Sequence, residues 1–259
     1  MMLVSLFKKR ETKYKKPKVS IIGTAVRTNL WKEFYKSLKN NSAPFEVVFV
    51  GNKTPNFQLP PNFRFIYSEV KPVQCLEIAA RKARGEYLLV AADDCILSKG
   101  AIDILYKQFK EFNNQKAVLS GKWFKNGKAV DIVKHHYVIG DVNSPILAVC
   151  TFLKRELWFD LGGLDCRFIT SCADSDLVMR AYEHGGTVML NEEIRYDERR
   201  NKSGGINLYP EFGANVDRPL LDSFWLKEGK MSKKRLKPLR PFKGKQLLTV
   251  SQDNKGRWI

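Results

Sequence analysis

Gly85-Glu86-Tyr87-Leu88-Leu89-Val90-Ala91-Ala92-Asp93-Asp94-Cys95 is the stretch on which the fold turns. From Tyr87 to Ala91 it is apolar without a break, the pattern of a strand buried on both faces. Gly85 separates this run from residues 73–84, where Leu76, Ala79, Ala80 and Ala83 share one side of a helix. The strand therefore delivers two adjacent carboxylates, Asp93 and Asp94, to its carboxyl end. In open α/β sheets that edge is where ligands bind. One or two carboxylates plus substrate phosphates commonly hold Mg²⁺ or Mn²⁺, because a hard cation wants oxygen ligands. The plainer reading is a polar turn in which one Asp caps the next helix.

Working outward, Val19-Ser20-Ile21-Ile22 before Gly23-Thr24, and residues 45–50 before Gly51-Asn52, read as two more buried strands. Trp31, Phe34, Tyr35 and Leu38 mark a helix between them, and Ile102, Leu105, Phe109 and Phe112 mark another. A short run, 63–67, adds a further strand. This alternation predicts an α/β fold: a mostly parallel central sheet with helices on both faces. The second half is more mixed. Asn126-Gly127, between segments 118–124 and 129–133, predicts a hairpin. A short helix is expected over 154–159, another from Asp174 to Glu183 closed by Gly185-Gly186, and a last strand over 187–190.

The 259 residues, 44% hydrophobic, suffice for one large domain with a substantial core. No apolar run approaches the roughly 20 residues needed to cross a bilayer. The opening MMLVSLF is followed by KKR, the reverse of a secretory signal. Five Cys without a CxxC pair argue against a disulfide framework and a zinc site, so a reduced, cytoplasmic setting is expected. The net charge of +18 is uneven: residues 1–18 carry +6, 213–259 carry +8, and 19–212 only +4. We therefore expect a basic arm over 1–17, a domain over 18–212 and a basic tail over 213–259. Such ends keep a protein soluble, or give peripheral contact with an anionic membrane surface. No motif points to specific nucleic-acid binding.

A second acidic pair, Asp174 and Asp176, lies in CADSDLVMRAYEHGG. At a helix entrance an Asp is ordinarily a cap or dipole partner, and Arg180 is four residues from Asp176, the spacing of an ion pair. His184 suits the helix end. His135-His136 follows the predicted hairpin, where one ring would point toward a ligand.

In order along the chain, KVSIIGTAVRTNLW, EVVFVGNKT, ARGEYLLVAADDCIL and LGGLDCRF followed by ADSDLVMRA resemble the segments of the GT-A glycosyltransferases of family 2, inverting nucleotide-sugar enzymes. The resemblance spans Lys18 to about Tyr196 and implies a single GT-A domain. It implies transfer of a sugar from a nucleotide-sugar, a UDP-sugar before others, to a hydroxyl of a glycan or lipid-linked acceptor. Thr24, Arg27, Asn52 and Asp93 are implied to contact the nucleotide, Asp94 to ligate Mn²⁺ or Mg²⁺, and Asp174 to be the catalytic base. Gly162 and Gly163 match glycines beside the acceptor pocket, and Asp176 and Arg180 match positioning residues. The chain departs from the pattern at Val26 (an aromatic in many members), Gly51 (a base-recognising Asp), Ala92 (an Asp) and Ala173 (a Glu). Where relatives often place a His after the last strand, it offers Asp197 or the pair Arg199-Arg200. These departures favour an alternative: a GT-A-like binding protein without turnover, using basic ends on anionic partners.

Overall fold

The computed structural model describes residues 16–112, 114–130, 138–139, 144–145, 150–202 and 207–259. Four parallel strands form its first half: β1 (Val19–Thr24), β2 (Phe45–Gly51), β3 (Phe63–Tyr67) and β4 (Tyr87–Val90), in spatial order β3-β2-β1-β4. Helices α1 (Trp31–Leu38) and α2 (Pro72–Lys82) connect them. Period-two alternation decides which core each side chain enters. Val19, Ile21, Val47, Phe49 and Leu89 point to one face, where α1 packs with α3 (Ala101–Glu111). Ile22, Val48, Val50, Leu88 and Val90 point to the other, against α2.

Beyond β4 the sheet becomes mixed. A short β5 (Cys95–Leu97) precedes α3, and β6 (Val118–Lys125) turns through Asn126-Gly127 into β7 (Lys128–Ala129). Both turn residues have positive φ, 50° and 82°, as a two-residue hairpin requires. Residues 131–133 of the expected hairpin lie outside the described residues, as do residues 1–15 and His135-His136. Two short strands, β8 (Val138–Ile139) and β9 (Ser144–Pro145), pair with each other. Then β10 (Phe152–Lys154) inserts antiparallel between β4 and β6, followed by α4 (Arg155–Asp160), α5 (Ala173–Glu183) and β11 (Val188–Glu198). Where a strand was expected only to Leu190, β11 runs to Glu198. It pairs with β6 in parallel and with β5 antiparallel, with a register shift between Asn191 and Arg195. That irregularity, in a run rich in charge, hides the alternation.

The expectation of a solvated tail over 213–259 is corrected. A π-helical segment, Tyr209–Asp217, runs into α6 (Arg218–Trp225), and a tight pair, β12 (Leu226–Lys227) with β13 (Lys230–Met231), follows. Leu221, Phe224, Trp225, Phe242 and Leu247 are buried in the core that α2, α4 and α5 share. Arg235, nearly buried, bridges Asp165 and Asp176 at 2.8 Å each. Much of the positive charge here sits on exposed Lys side chains, while Leu221, Phe224, Trp225, Phe242 and Leu247 face inward and Leu236, Leu248 and Val250 stay exposed. No helix among the described residues is long and apolar enough to cross a membrane.

Candidate functional site

The carboxyl ends of β1, β2 and β4 and the entrance of α5 open onto one cavity of about 600 Å³. Thr24, Arg27, Asn52 and Lys53 line it from the strand ends, and Asp174 and Ser175 from α5. Glu198 and Arg200 reach it from the end of β11, and Tyr209, Arg218 and Trp258 from the C-terminal segment. Among the described residues its charged lining is Arg27, Lys53, Arg200 and Arg218 against Asp174 and Glu198, so the cavity favours anionic ligands.

The two residues of the first acidic pair have different surroundings. Asp93 is fully buried. Its Oδ2 accepts the backbone N–H of Val26 at 2.6 Å, that of Arg27, and the Trp31 indole N–H at 3.1 Å. Its Oδ1 accepts the Arg27 guanidinium at 2.7 Å. Its acceptor capacity is thus committed to holding the loop after β1; neither it nor Asp94 is among the residues that line the cavity, which Ala92 reaches beside them. Asp94, also buried, leaves Oδ2 without a hydrogen-bond partner among the described residues, 3.5 Å from Arg27 Nε. Burial raises its carboxyl above the usual range, and Glu198 and Asp93 add to this against Arg27 and Arg200. A divalent cation would relieve both the orphaned oxygen and the crowding of negative charge. No group of three His, Cys, Asp or Glu converges there among the described residues, so substrate phosphates and water would complete the shell.

On α5 the division recurs. Asp176 is fully buried and accepts Arg180 Nε at 2.9 Å on Oδ2, with Trp225 Nε1 at 2.9 Å and Arg235 Nε at 2.8 Å on Oδ1. It fastens the C-terminal segment to α5. Asp174 faces the cavity, and among the described residues its side chain accepts no donor from another element, only the adjacent Ser175 N–H, at 3.0 Å, and its own backbone N–H. Burial pushes its carboxyl up to about 6, against the pull of the Ser175 and its own backbone N–H. Such a group is ionised at neutral pH and poised to accept a proton.

The remaining expected residues fall in different places. Thr24 donates its hydroxyl to the Pro72 carbonyl while lining the cavity, and Asn52 stands exposed at the rim. Gly51 explains the missing Asp at the base-recognising position: a Cβ there would collide with the Ala25 carbonyl oxygen. Gly162 and Gly163, expected beside an acceptor pocket, do not line the cavity. Both have positive φ, and a Cβ on Gly163 would lie 2.7 Å from the Glu77 carboxylate; its carbonyl accepts Arg180 Nη2 at 2.7 Å. These glycines, with Arg180, belong to a structural network. Asp197 is turned away from the cavity, accepting the Gly127 N–H at 2.9 Å and Arg195 at 2.9 Å.

Of the alternatives after the last strand, Arg200 is the one at the cavity, paired with Glu198 at 2.7 Å. Sequence reading missed Glu198, whose signal was available: in a strand, Tyr196 and Glu198 share a face, and Asp197 takes the other. It also missed Lys53, Tyr209, Arg218 and Trp258, two of them in the supposed tail.

Among solved structures, the chain is similar to S. aureus TarS residues 1–349, with 20% identity and a TM-score of 0.57, over 70% of this chain and 60% of that one. It is also similar to the same protein in complex with UDP-GlcNAc, with 19% identity and a TM-score of 0.56, over 73% of this chain and 62% of that one. A third match is TarS bound to UDP, at 19% identity and a TM-score of 0.54, over 70% and 60%. This chain shares the TarS fold. That bears out the expected GT-A-like α/β architecture, with the sheet more mixed than a mostly parallel one in its second half. The chain spans about 60% of the length of the TarS 1–349 structure and matches 36% of the longer TarS structure. No protein-family model matches the chain, and no curated protein matches its sequence.

Proposed function

We propose that this chain is a glycosyltransferase that moves a sugar from a nucleoside-diphosphate sugar, a UDP-sugar first, to an acceptor hydroxyl with inversion at the anomeric carbon. One observation carries the reading: a single cavity joins the cations Arg27, Lys53 and Arg200 to the carboxylate of Asp174. The fold around it is one whose TarS representative has been solved with UDP and with UDP-GlcNAc.

The cations attract the donor diphosphate and stabilise the negative charge that develops on the departing nucleotide. Asp174 takes the proton from the acceptor hydroxyl as that oxygen attacks the anomeric carbon from the face opposite the leaving group. Holding both substrates in one cleft supplies much of the remaining acceleration. Asp94, with Glu198 nearby, would hold Mn²⁺ or Mg²⁺, whose chemistry there is neutralisation of the leaving diphosphate. Asp93 acts one step back, fixing the loop that carries Arg27.

Binding without turnover is a second reading, favoured by the Arg27 guanidinium, which already engages both Asp93 and Asp94. Thermal melting with UDP and UDP-GlcNAc, with and without Mn²⁺, together with UDP release from UDP-GlcNAc, separates the two. A ligand at 100 times its Kd adds about 2.7 kcal/mol. Metal-dependent stabilisation with UDP release supports the transferase; stabilisation without release supports the binder; no response to either ligand removes both.

A further inference from the structure

We propose that residues 207–259 build the acceptor side of the cavity, with the rings of Tyr209 and Trp258 forming a shelf for a pyranose ring of a saccharide acceptor. This inference rests on the transferase reading and gives its acceptor a place and a chemistry.

The division of the lining suggests it. Arg27, Lys53 and Arg200 come from the strand ends and the turn after β11, whereas Tyr209 and Trp258 come from the C-terminal segment, together with a fourth cation, Arg218. Tyr209 leaves 48% of its surface exposed, an aromatic face open to solvent at a cavity that also contains Asp174. A sugar ring offers such a face its C–H surface and keeps its hydroxyls at the edge for polar groups.

The shelf is anchored rather than loosely draped. Trp258 donates its indole N–H to the Glu69 carbonyl at 3.4 Å and packs against Phe212, ring centroids 6.0 Å apart. Buried Lys71 holds the neighbouring Ile259 backbone oxygen at 3.3 Å and the Cys166 carbonyl at 2.8 Å. Gln74 Nε2 holds the Gln246 and Thr249 carbonyls at 3.0 and 3.1 Å.

Its position relative to Asp174 is also fixed. Asp217, fully buried at the end of the π-helical segment that begins with Tyr209, accepts the backbone N–H groups of Ile169, Thr170 and Ser171 at 2.8, 2.8 and 2.9 Å. Those residues lead through Cys172, at φ 64°, into the first turn of α5 and Asp174. One carboxylate therefore ties the shelf to the segment presenting the base, so a ring on the shelf meets Asp174 in a set geometry.

The test uses the full chain and the variants Tyr209→Ala, Trp258→Ala and Trp258→Phe on an immobilised array of neutral and anionic oligosaccharides. UDP is titrated into each by calorimetry in the presence of Mn²⁺. The expected result is retention of the full chain by at least one saccharide, weakened roughly tenfold in each Ala variant and about twofold or less in Trp258→Phe, with UDP affinity unchanged. Undiminished retention in both Ala variants, or no saccharide retained by the full chain, overturns the proposal. If saccharide retention behaves as expected but UDP binds nowhere, the nucleotide-sugar reading falls and the shelf stands. Should Trp258→Ala unfold, Tyr209→Leu keeps bulk at a half-exposed position without the ring, and the same tenfold loss is required of it.

Discussion

The carboxyl edge of β4 and the first turn of α5 each carry two acidic residues, and each divides them in the same way. At β4, Asp93 accepts four donors, while among the described residues Asp94 Oδ2 accepts no hydrogen bond and has only the longer ion pair to Arg27 at 3.5 Å. At α5, Asp176 accepts an arginine on one oxygen and a tryptophan and a second arginine on the other, while among the described residues Asp174 accepts only its neighbour's N–H and its own. In each pair one carboxylate holds structure together and the other remains chemically underused. An aspartate whose lone pairs are all committed to protein donors is a poor ligand or base, whatever its place in a motif. An aspartate left short of donors and raised in pKa is the better candidate.

The largest effect expected from breaking this division is on stability. Asp176→Ala leaves Arg180 buried without its carboxylate and Arg235 with Asp165 alone, which should cost about 3–5 kcal/mol, measurable by urea denaturation. Asp174→Ala should cost far less. Similar losses for the two variants would erase the distinction within α5. Next in size is the response of the β4 edge to metal. Asp94→Asn should remove the Mn²⁺-dependent part of UDP affinity, on the order of tenfold, with the fold intact by circular dichroism. Unchanged metal-dependent affinity would take Asp94 out of the site.

The smallest effect has an opposite sign. The Asp174 carboxyl titrates in the folded chain at about 6, above its ordinary 3.8. A raised acid destabilises the folded state as pH climbs through that window, and the penalty persists above it. Asp174→Asn should therefore melt roughly 2–4 °C higher at neutral pH, the shift of about 1 kcal/mol in a domain this size. The gain should vanish in acid below the ordinary carboxylate range. A lower melting temperature at neutral pH would show that the Asp174 charge stabilises the chain.

Much of the first half was legible in the sequence because its signals are local. Tyr87 to Val90 and Val47 to Val50 are apolar without interruption and lie in the sheet, and Trp31, Phe34 and Leu38 repeat at helical spacing and are buried. The acidic pairs were legible as positions, but not as divided roles. Nothing local reveals that Trp31 and the loop after β1 consume Asp93, or that Trp225 and Arg235, 49 and 59 residues beyond Asp176, consume it. The C-terminal segment was misread for a related reason. Leu221, Phe224 and Trp225 keep helical spacing on α6, but for only about two turns, and Phe242 and Leu247 lie among lysines in a loop-rich stretch that matches neither helical nor strand periodicity. Its role appears only once Asp165, Asp176 and Asp217 are seen to anchor it.

The most direct test of the division is the rate of UDP-GlcNAc hydrolysis against pH, with Mn²⁺, for the full chain, Asp174→Asn and Asp176→Asn, alongside UDP affinity for each. The wild-type rate should fall as pH drops through about 6, where Asp174 takes up its proton. Asp174→Asn should lose roughly 10²–10⁴ in turnover at neutral pH while UDP affinity stays within about twofold. Near-normal turnover in Asp174→Asn, with the loss appearing instead in a folded Asp176→Asn, would contradict the account.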